Sequence, residues 1–289
     1  MRYNSLADFL ARGKPLLVKG PVALIFAEDD VEVASTLRHH LDLGFLHVVA
    51  FMPDSFDLPT DLEAEVHRVT YACGLPSDVF TAINKVIKAA TPNCWLYYCY
   101  NAEYLFFPFS ETRGVRELLN FHAEERRSAM LTYVVDLYAA DLQTDPNAVT
   151  LKHAMLDRSG YFAQARADPA THKPLERQLD FFGGLRWRLE EHVPRASRRI
   201  DRISLFRAKS SLVLGPTHQF SDPEYNTYAC PWHHNLTAAV CSFRAAKALR
   251  RNPGSRKAIN TLACQNSVRF EWTSRQLLDL GLIEPGQWF

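Results

Sequence analysis

The sequence lacks the short motifs by which many enzyme classes are recognised. It contains no GxSxG nucleophile elbow, no HExxH zinc motif, no P-loop and no GxGxxG dinucleotide fingerprint. Its six cysteines form no CxxC pair, and several lie among apolar residues, which favours reduced core thiols over a zinc site or a disulfide framework. A function therefore has to be sought in polar residues at the ends of apolar segments.

Long apolar runs are also missing. No stretch of 18 apolar residues occurs, so no membrane span is expected, and charged residues interrupt the first 20 positions, so no signal peptide is expected. The 289 residues are 47% hydrophobic with a net charge of +1, which is typical of a soluble globular protein with one large or two small domains. These features predict a cytoplasmic protein with at most a peripheral membrane association.

The near-neutral total conceals a charge asymmetry. Residues 1–150 hold 12 Lys or Arg against 20 Asp or Glu, whereas residues 151–289 hold 21 against 12. Such halves either bind a phosphate-bearing ligand or pair their charges internally. A basic run at Arg195, Arg198, Arg199 and Arg202 accompanies no recognisable nucleic-acid module, so no nucleic-acid partner is expected.

Apolar strands alternate with helical patterns over the first third of the chain. Residues 21–27 and 46–52 are apolar runs separated by a helical pattern, which is the length of one βαβ unit. Continued to residue 105, this alternation predicts an α/β fold with a mostly parallel central sheet flanked by helices. Later residues favour a strand over 183–190 and a helix over 236–251.

The stretch CWLYYCYNAEYLFFP, residues 94–108, is the strongest candidate for a functional strand. Its run Trp95 to Tyr100 predicts a strand buried on both faces, and Asn101 and Glu103 are the first polar residues beyond it. Open α/β sheets bind ligands at the carboxyl ends of such strands. The alternative is that Glu103 is an ordinary loop acid.

Three segments resemble GT-A-type glycosyltransferases of the glycosyltransferase family 2-like group. In VALIFAEDDVEVASTLRHHLDLGFLHVVAFMPDSFD, an acidic motif follows a strand, a His-His helix ends in Leu-Gly, and Ser55 and Asp57 match an Asn-x-Ser-x-Asp turn whose Asn is replaced by Pro53. FGGLRWR, residues 182–188, resembles a Gly-Gly-x-Arg-x-Arg segment. YNAEYL, residues 100–105, resembles a DxDE segment in which Tyr100 and Ala102 replace the paired acids.

The resemblance, which covers roughly residues 20–245, implies an N-terminal extension over 1–20, a GT-A-like domain over 21–245 with C-terminal strands and helices, and a helical tail over 246–289. It implies a hexosyltransferase-type enzyme that transfers a sugar from a nucleotide-sugar donor to a glycan or glycan-precursor acceptor. The cofactor would be Mn²⁺ or Mg²⁺, and the loss of the acid pair would weaken the binding of this ion. The alternative is a catalytically inactive protein of this fold that binds a nucleotide or a sugar.

Candidate site residues follow from strand ends and from the resemblance. For nucleotide-sugar binding they are Glu28, Asp57, Asn101, Arg186 and Arg188. Both arginines are expected on one face of a strand, where they either neutralise a diphosphate or form a solvated edge. The predicted metal ligands are Glu103, His218 and His234, with hydrogen-bonded structural histidines as the alternative.

Two further groups of acids have open roles. Asp136 is the predicted general base for the acceptor hydroxyl, with Asp141 behind it, although either fits an ordinary strand-end acid. Asp29 or Asp30 is expected either to bind the ligand or to cap the helix that follows.

Overall fold

The computed structural model describes residues 1–228 and 235–288 and has an α/β fold. None of the described helices combines the length and the apolar character needed to cross a membrane. The elements are, in chain order, β1 (Arg2–Tyr3), α1 (Leu6–Arg12), β2 (Val22–Phe26), α2 (Val33–Asp42), β3 (His47–Met52), α3 (Thr60–Glu65), β4 (His67–Thr70), α4 (Pro76–Ala89), β5 (Trp95–Tyr100), β6 (Glu103–Phe106), α5 (Val115–Glu124), β7 (Ala129–Asp136), β8 (Tyr138–Ala139), β9 (Ala154–Asp157), β10 (Phe162–Ala167), β11 (Pro174–Phe182), α6 (Gly184–Arg188), β12 (Asp201–Arg207), β13 (Ala238–Ser242), α7 (Arg244–Arg251), α8 (Pro253–Ala258), β14 (Ser267–Arg269) and α9 (Ser274–Asp279).

The chain forms two compact units. The first comprises Met1–Tyr104, Thr112–Met130 and Ile203–Asn226. The second is formed by the described residues within Leu105–Glu111, Leu131–Arg202 and Thr227–Phe289.

A mostly parallel sheet forms the centre of the first unit. Its strand order is β1-β4-β3-β2-β5-β12, with parallel pairs up to β5 and β12 antiparallel to β5. Strands β2 and β5 are buried at every residue, because apolar runs covered on both faces suit the inside of a parallel sheet. The predicted α/β fold with a mostly parallel sheet is confirmed.

The second unit contains the neighbouring strands β7, β13 and β6 and two smaller sheets. Strand β13 runs parallel to β7, with Ser242 opposite Asp136. The hairpin β10-β11 is antiparallel, and β14, β9 and β8 form a separate three-stranded sheet. Strand β7 therefore places Asp136 at its carboxyl end, next to the end of β13.

Two predicted elements have a different secondary structure. The prediction of a strand over 183–190 is wrong, because residues 184–188 form the short helix α6. The helix expected over 236–251 begins only at Arg244, since residues 238–242 are fully buried in strand β13. In this second case the apolar residues satisfy both a helical and a strand pattern, and the hydrogen bonds available from β7 decide between them.

Gly20 makes a close backbone contact that a side chain cannot enter. A Cβ atom built at this position would lie 2.3 Å from the carbonyl oxygen of Trp95 and 2.8 Å from its nitrogen. We expect Gly20→Ala to lower the free energy of unfolding by about 1–3 kcal/mol, as overpacking does. Urea unfolding should show this loss, whereas Gly74→Ala, which meets no atom within 4 Å, serves as the control. Equal urea midpoints for both variants would contradict the expectation.

Candidate functional site

The strand order of the first unit contains a topological switch point. From β2 the chain adds β3 and then β4 on one side, and β5 returns to the other side of β2. Phe26 and Tyr100, the last residues of β2 and β5, lie opposite each other in register. In open α/β sheets the crevice outside such carboxyl ends is the usual place for a ligand.

Asn101 joins the two strand ends at this switch point. Its backbone N–H donates to the carbonyl oxygen of Phe26 at 3.0 Å, and its side chain is fully buried. The Oδ1 atom accepts the Glu28 N–H at 2.9 Å, and Nδ2 donates to the Asp29 carboxylate at 2.6 Å and to the Val31 carbonyl at 2.8 Å. Asn101 therefore fixes the turn that follows β2.

The acids of this turn have distinct environments. The buried Asp29 carboxylate accepts the Val31 N–H at 3.0 Å in addition to the Asn101 amide. Helix α2 has Glu32 as its N-cap, without a side-chain cap hydrogen bond, so the expectation that Asp29 or Asp30 caps this helix is wrong. Glu28 is half-buried and leaves part of its side chain accessible at the sheet edge.

Asp57 lies exposed in the loop after β3. The part of this loop before Asp57 is held by Arg68, a residue that the sequence did not single out. Arg68 of β4 is 4% exposed. Its Nη2 atom donates to the carbonyl oxygens of Pro53, Asp54 and Phe56 at 3.2, 3.0 and 2.8 Å. The available signal was a lone arginine within an apolar segment, because a buried guanidinium requires several acceptors.

Glu103 stabilises a turn in this structure. Its fully buried carboxylate accepts the backbone N–H of Tyr100 at 2.9 Å. The intervening Ala102 has a φ of 58°, and its N–H donates to Thr36 Oγ1 at 2.8 Å. Glu103 is thus neither a solvated loop acid nor a carboxylate that faces an open cleft.

The described metal candidates do not form an ion site. His218 Nδ1 lies 2.8 Å from the hydroxyl of Tyr98, and its ring also contacts Phe80. His234 lies outside the described residues. Within residues 1–228 and 235–288 no three His, Cys, Asp or Glu side chains are grouped as metal ligands. Glu103 and His218 therefore do not fit the divalent cation that the resemblance implies.

In the second unit Asp136 and Arg186 form an enclosed ion pair. The Asp136 carboxylate has almost no exposed surface and accepts Arg186 Nε at 3.0 Å and the Arg186 backbone N–H at 3.2 Å. Burial raises the pKa of Asp136 above its ordinary range, and the neighbouring guanidinium opposes this effect. Asp136 therefore combines a raised proton affinity with a fixed orientation.

Arg188 has a separate acid partner. Its Nε atom donates to Asp157 at 3.1 Å, and its guanidinium lies 5.6 Å from the centre of the Tyr138 ring. The expectation that Arg186 and Arg188 share one face of a strand is wrong, because they belong to a helical turn and face different carboxylates.

The two glycines before these arginines explain how the turn is built. Gly183 and Gly184 have φ values of 153° and 62°. A Cβ atom on Gly183 would lie 2.4 Å from the ring of Tyr161. Glycine thus permits both the backbone conformation and the close packing of Tyr161 at the start of α6.

Comparison with known proteins gives no family for this chain. No protein-family model matches it, and no curated protein matches its sequence.

Proposed function

We propose that the first unit binds the nucleotide of a nucleotide sugar at the carboxyl edge of its parallel sheet, and that the chain is a GT-A-like glycosyltransferase. The observation that supports this proposal best is the bonding of Asn101 across the switch point between β2 and β5. A rigid turn at this position presents polar groups where open α/β sheets bind ligands.

Glu28 and Asp57 supply the recognition in this proposal. Both residues follow neighbouring parallel strands, and neighbouring strands lie about 4.8 Å apart. The half-buried Glu28 carboxylate accepts hydrogen bonds from ribose hydroxyls or from the base edge. Asp57 contributes a second carboxylate. It directly follows Phe56, whose carbonyl group is bound by Arg68. Asn101 acts as a positioning residue, since its amide already bonds the protein backbone.

The chemical step is assigned only in outline. Asp136 stays the predicted general base, and its enclosed carboxylate has to be released from Arg186 before it can reach an acceptor hydroxyl. In this proposal Arg186 orients that carboxylate, and no step is routed through a metal ion. The donor reaction breaks the bond between the sugar and the diphosphate, and the acceptor hydroxyl forms the new bond while it loses its proton.

Glu28→Gln tests the nucleotide site. We expect UDP or GDP to bind the full chain in calorimetric titration, and Glu28→Gln to weaken that binding about tenfold or more, because a charged hydrogen-bond acceptor is lost. Asp61→Asn is the matched control, since this exposed carboxylate pairs with Arg38 at 2.8 Å. The absence of saturable binding to both nucleotides, or an unchanged affinity in Glu28→Gln, would refute the assignment.

A catalytically inactive nucleotide-binding protein is the second candidate. Two observations favour this candidate. Glu103 is enclosed, and Tyr100 and Ala102 stand where glycosyltransferases of the GT-A type have the paired acids of the DxDE segment. Hydrolysis of UDP-sugars and GDP-sugars, measured with and without Mn²⁺, separates the two candidates. Turnover supports the transferase, whereas nucleotide binding without any turnover supports the inactive protein.

A further inference from the structure

A cavity of about 250 Å³ in the second unit is lined by aromatic and aliphatic residues and one acid. Four of its lining residues are aromatic, and the remainder are Val135, Ala163, Ile200 and four residues near the carboxyl end of the described chain. The lining consists of Tyr133, Val135, Tyr161, Phe162, Ala163, Phe181, Ile200, Gly281, Leu282, Ile283 and Glu284. Its volume suits a single small group rather than a large ligand.

The rings form a corner that a compact cation can occupy. The centroids of Tyr133 and Phe181 are 4.6 Å apart, and their planes are tilted by 60°. A cation within about 6 Å of a ring centroid is attracted by the electrons of the ring face. A cation against one of these two rings is therefore close to the other. Phe162 adds a third aromatic wall and itself contacts Trp187 at 4.8 Å.

Glu284 is the charged residue of this lining. Within residues 1–228 and 235–288, the lining contains no Lys, Arg or His, and Glu284 forms no ion pair. Its backbone bonds with Thr237 in both directions, at 3.0 and 2.9 Å, which fixes its position along the chain. An exposed carboxylate beside aromatic faces leaves a negative charge without a partner of opposite sign.

Both tyrosines of the cavity are neutral at physiological pH. Burial, together with the charges of Glu284 and Asp201, raises the pKa of Tyr133 well above its ordinary value. Tyr161 donates its hydroxyl to the carbonyl oxygen of Asp157 at 3.0 Å, and burial raises its pKa as well. Both rings thus stay neutral. Glu284 is the acid that favours positive charge in the cavity, because Asp201 is paired with Arg166 at 2.8 Å.

We propose that this cavity binds an alkylammonium group, with Tyr133 and Phe181 contacting the cation and the Glu284 carboxylate neutralising it. The proposal goes beyond the nucleotide site and is independent of it, since all of its residues belong to the second unit. A trimethylammonium group fits by contact with the rings alone, whereas a primary ammonium group also donates hydrogen bonds to Glu284.

Titration with choline and with its uncharged isostere 3,3-dimethyl-1-butanol tests this site. The two molecules have the same shape and the same hydroxyl group. The ratio of their affinities for the full chain therefore measures how much the positive charge of choline contributes to binding. We expect choline to bind at least about fivefold more tightly. Ethanolamine distinguishes a primary from a quaternary ammonium preference, and methyl glucoside tests a sugar as the occupant.

Two sets of variants assign the effect to this cavity. Glu284→Gln should bring the affinity for choline close to that for the isostere, whereas Glu271→Gln, at an exposed acid of the same unit, should leave the ratio unchanged. Tyr133→Phe should retain choline binding, and Tyr133→Leu should lose it while near-ultraviolet circular dichroism confirms folding. Equal binding of choline and isostere, no choline binding at all, preferential binding of methyl glucoside, or an unchanged ratio in Glu284→Gln would each overturn the proposal.

Discussion

Replacing Arg186 by Met is expected to lower the free energy of unfolding by about 3–5 kcal/mol at pH 7. The guanidinium of Arg186 is the ion-pair partner of Asp136, whose side chain is entirely enclosed. Methionine fills a similar volume but leaves a buried carboxylate without a counter-charge. The resulting loss is mainly the desolvation cost of the remaining charge.

This loss should depend on pH. Burial already raises the pKa of Asp136, so the folded state binds a proton more readily than the unfolded state, and stability from this group falls as pH rises above the ordinary 3.8. Without Arg186 the folded pKa rises further. Arg186→Met should therefore be less damaging at pH 4 than at pH 7, which urea unfolding at both values measures.

Controls separate the buried pair from a general effect of losing arginine. Arg38→Met breaks an exposed ion pair with Asp61, in which both side chains are about half exposed or more, and should cost far less stability than Arg186→Met. Asp136→Asn combined with Arg186→Met removes both charges and should recover part of the stability. Similar losses in Arg186→Met and Arg38→Met would show that the Asp136 pair is not buried as described.

His40→Asn is expected to remove a large part of the protein's sensitivity to acid. His40 is fully buried, its Nδ1 lies 2.8 Å from the Thr36 carbonyl, and its ring stacks on Tyr97. Burial, aided by the neighbouring His39, lowers its pKa from 6.5 to about 3. The unfolded state thus binds a proton that the folded state excludes, so stability present above pH 6.5 is lost as pH falls toward 3.

The size of this effect follows from linkage. Each pH unit well below 6.5 costs at most about 1.4 kcal/mol, so His40 alone removes roughly 2 kcal/mol between pH 6.5 and pH 4.5. His122, whose pKa burial lowers to about 4, should contribute a second increment.

The measurement is the slope of unfolding free energy against pH between 4.5 and 7. His40→Asn should flatten this slope even if the smaller side chain lowers stability at every pH. His172→Asn, at an exposed position, should leave the slope unchanged. An identical slope in the wild type and in His40→Asn would contradict the assignment of acid sensitivity to His40.

Local sequence was sufficient to predict the sheet of the first unit and one part of its candidate site. Strands β2, β3 and β5 are apolar runs bounded by polar or turn residues, and such runs are recognisable without knowledge of their neighbours. Asn101 was identifiable because it is the first polar residue after β5. Its position beside the turn after β2 then follows from parallel pairing of two strands.

The roles of the charged residues depended on the tertiary structure. Asp136 and Arg186 are 50 residues apart, and nothing in the local pattern shows that they form a pair. The same is true of Arg68, which bonds carbonyl groups 12 to 15 residues before it. Glu103 had the residue type of a metal ligand, but the fold encloses it against the Tyr100 N–H.

The sequence by itself determined where apolar segments begin and end, because hydrophobic burial has a period that the chain displays directly. The tertiary structure decided which polar groups meet, because the free energy of a buried charge depends on the partner and the solvent exclusion that distant segments provide. That is the physical reason why the α/β fold was predictable while the partners of Asp136, Arg186 and Glu103 were not.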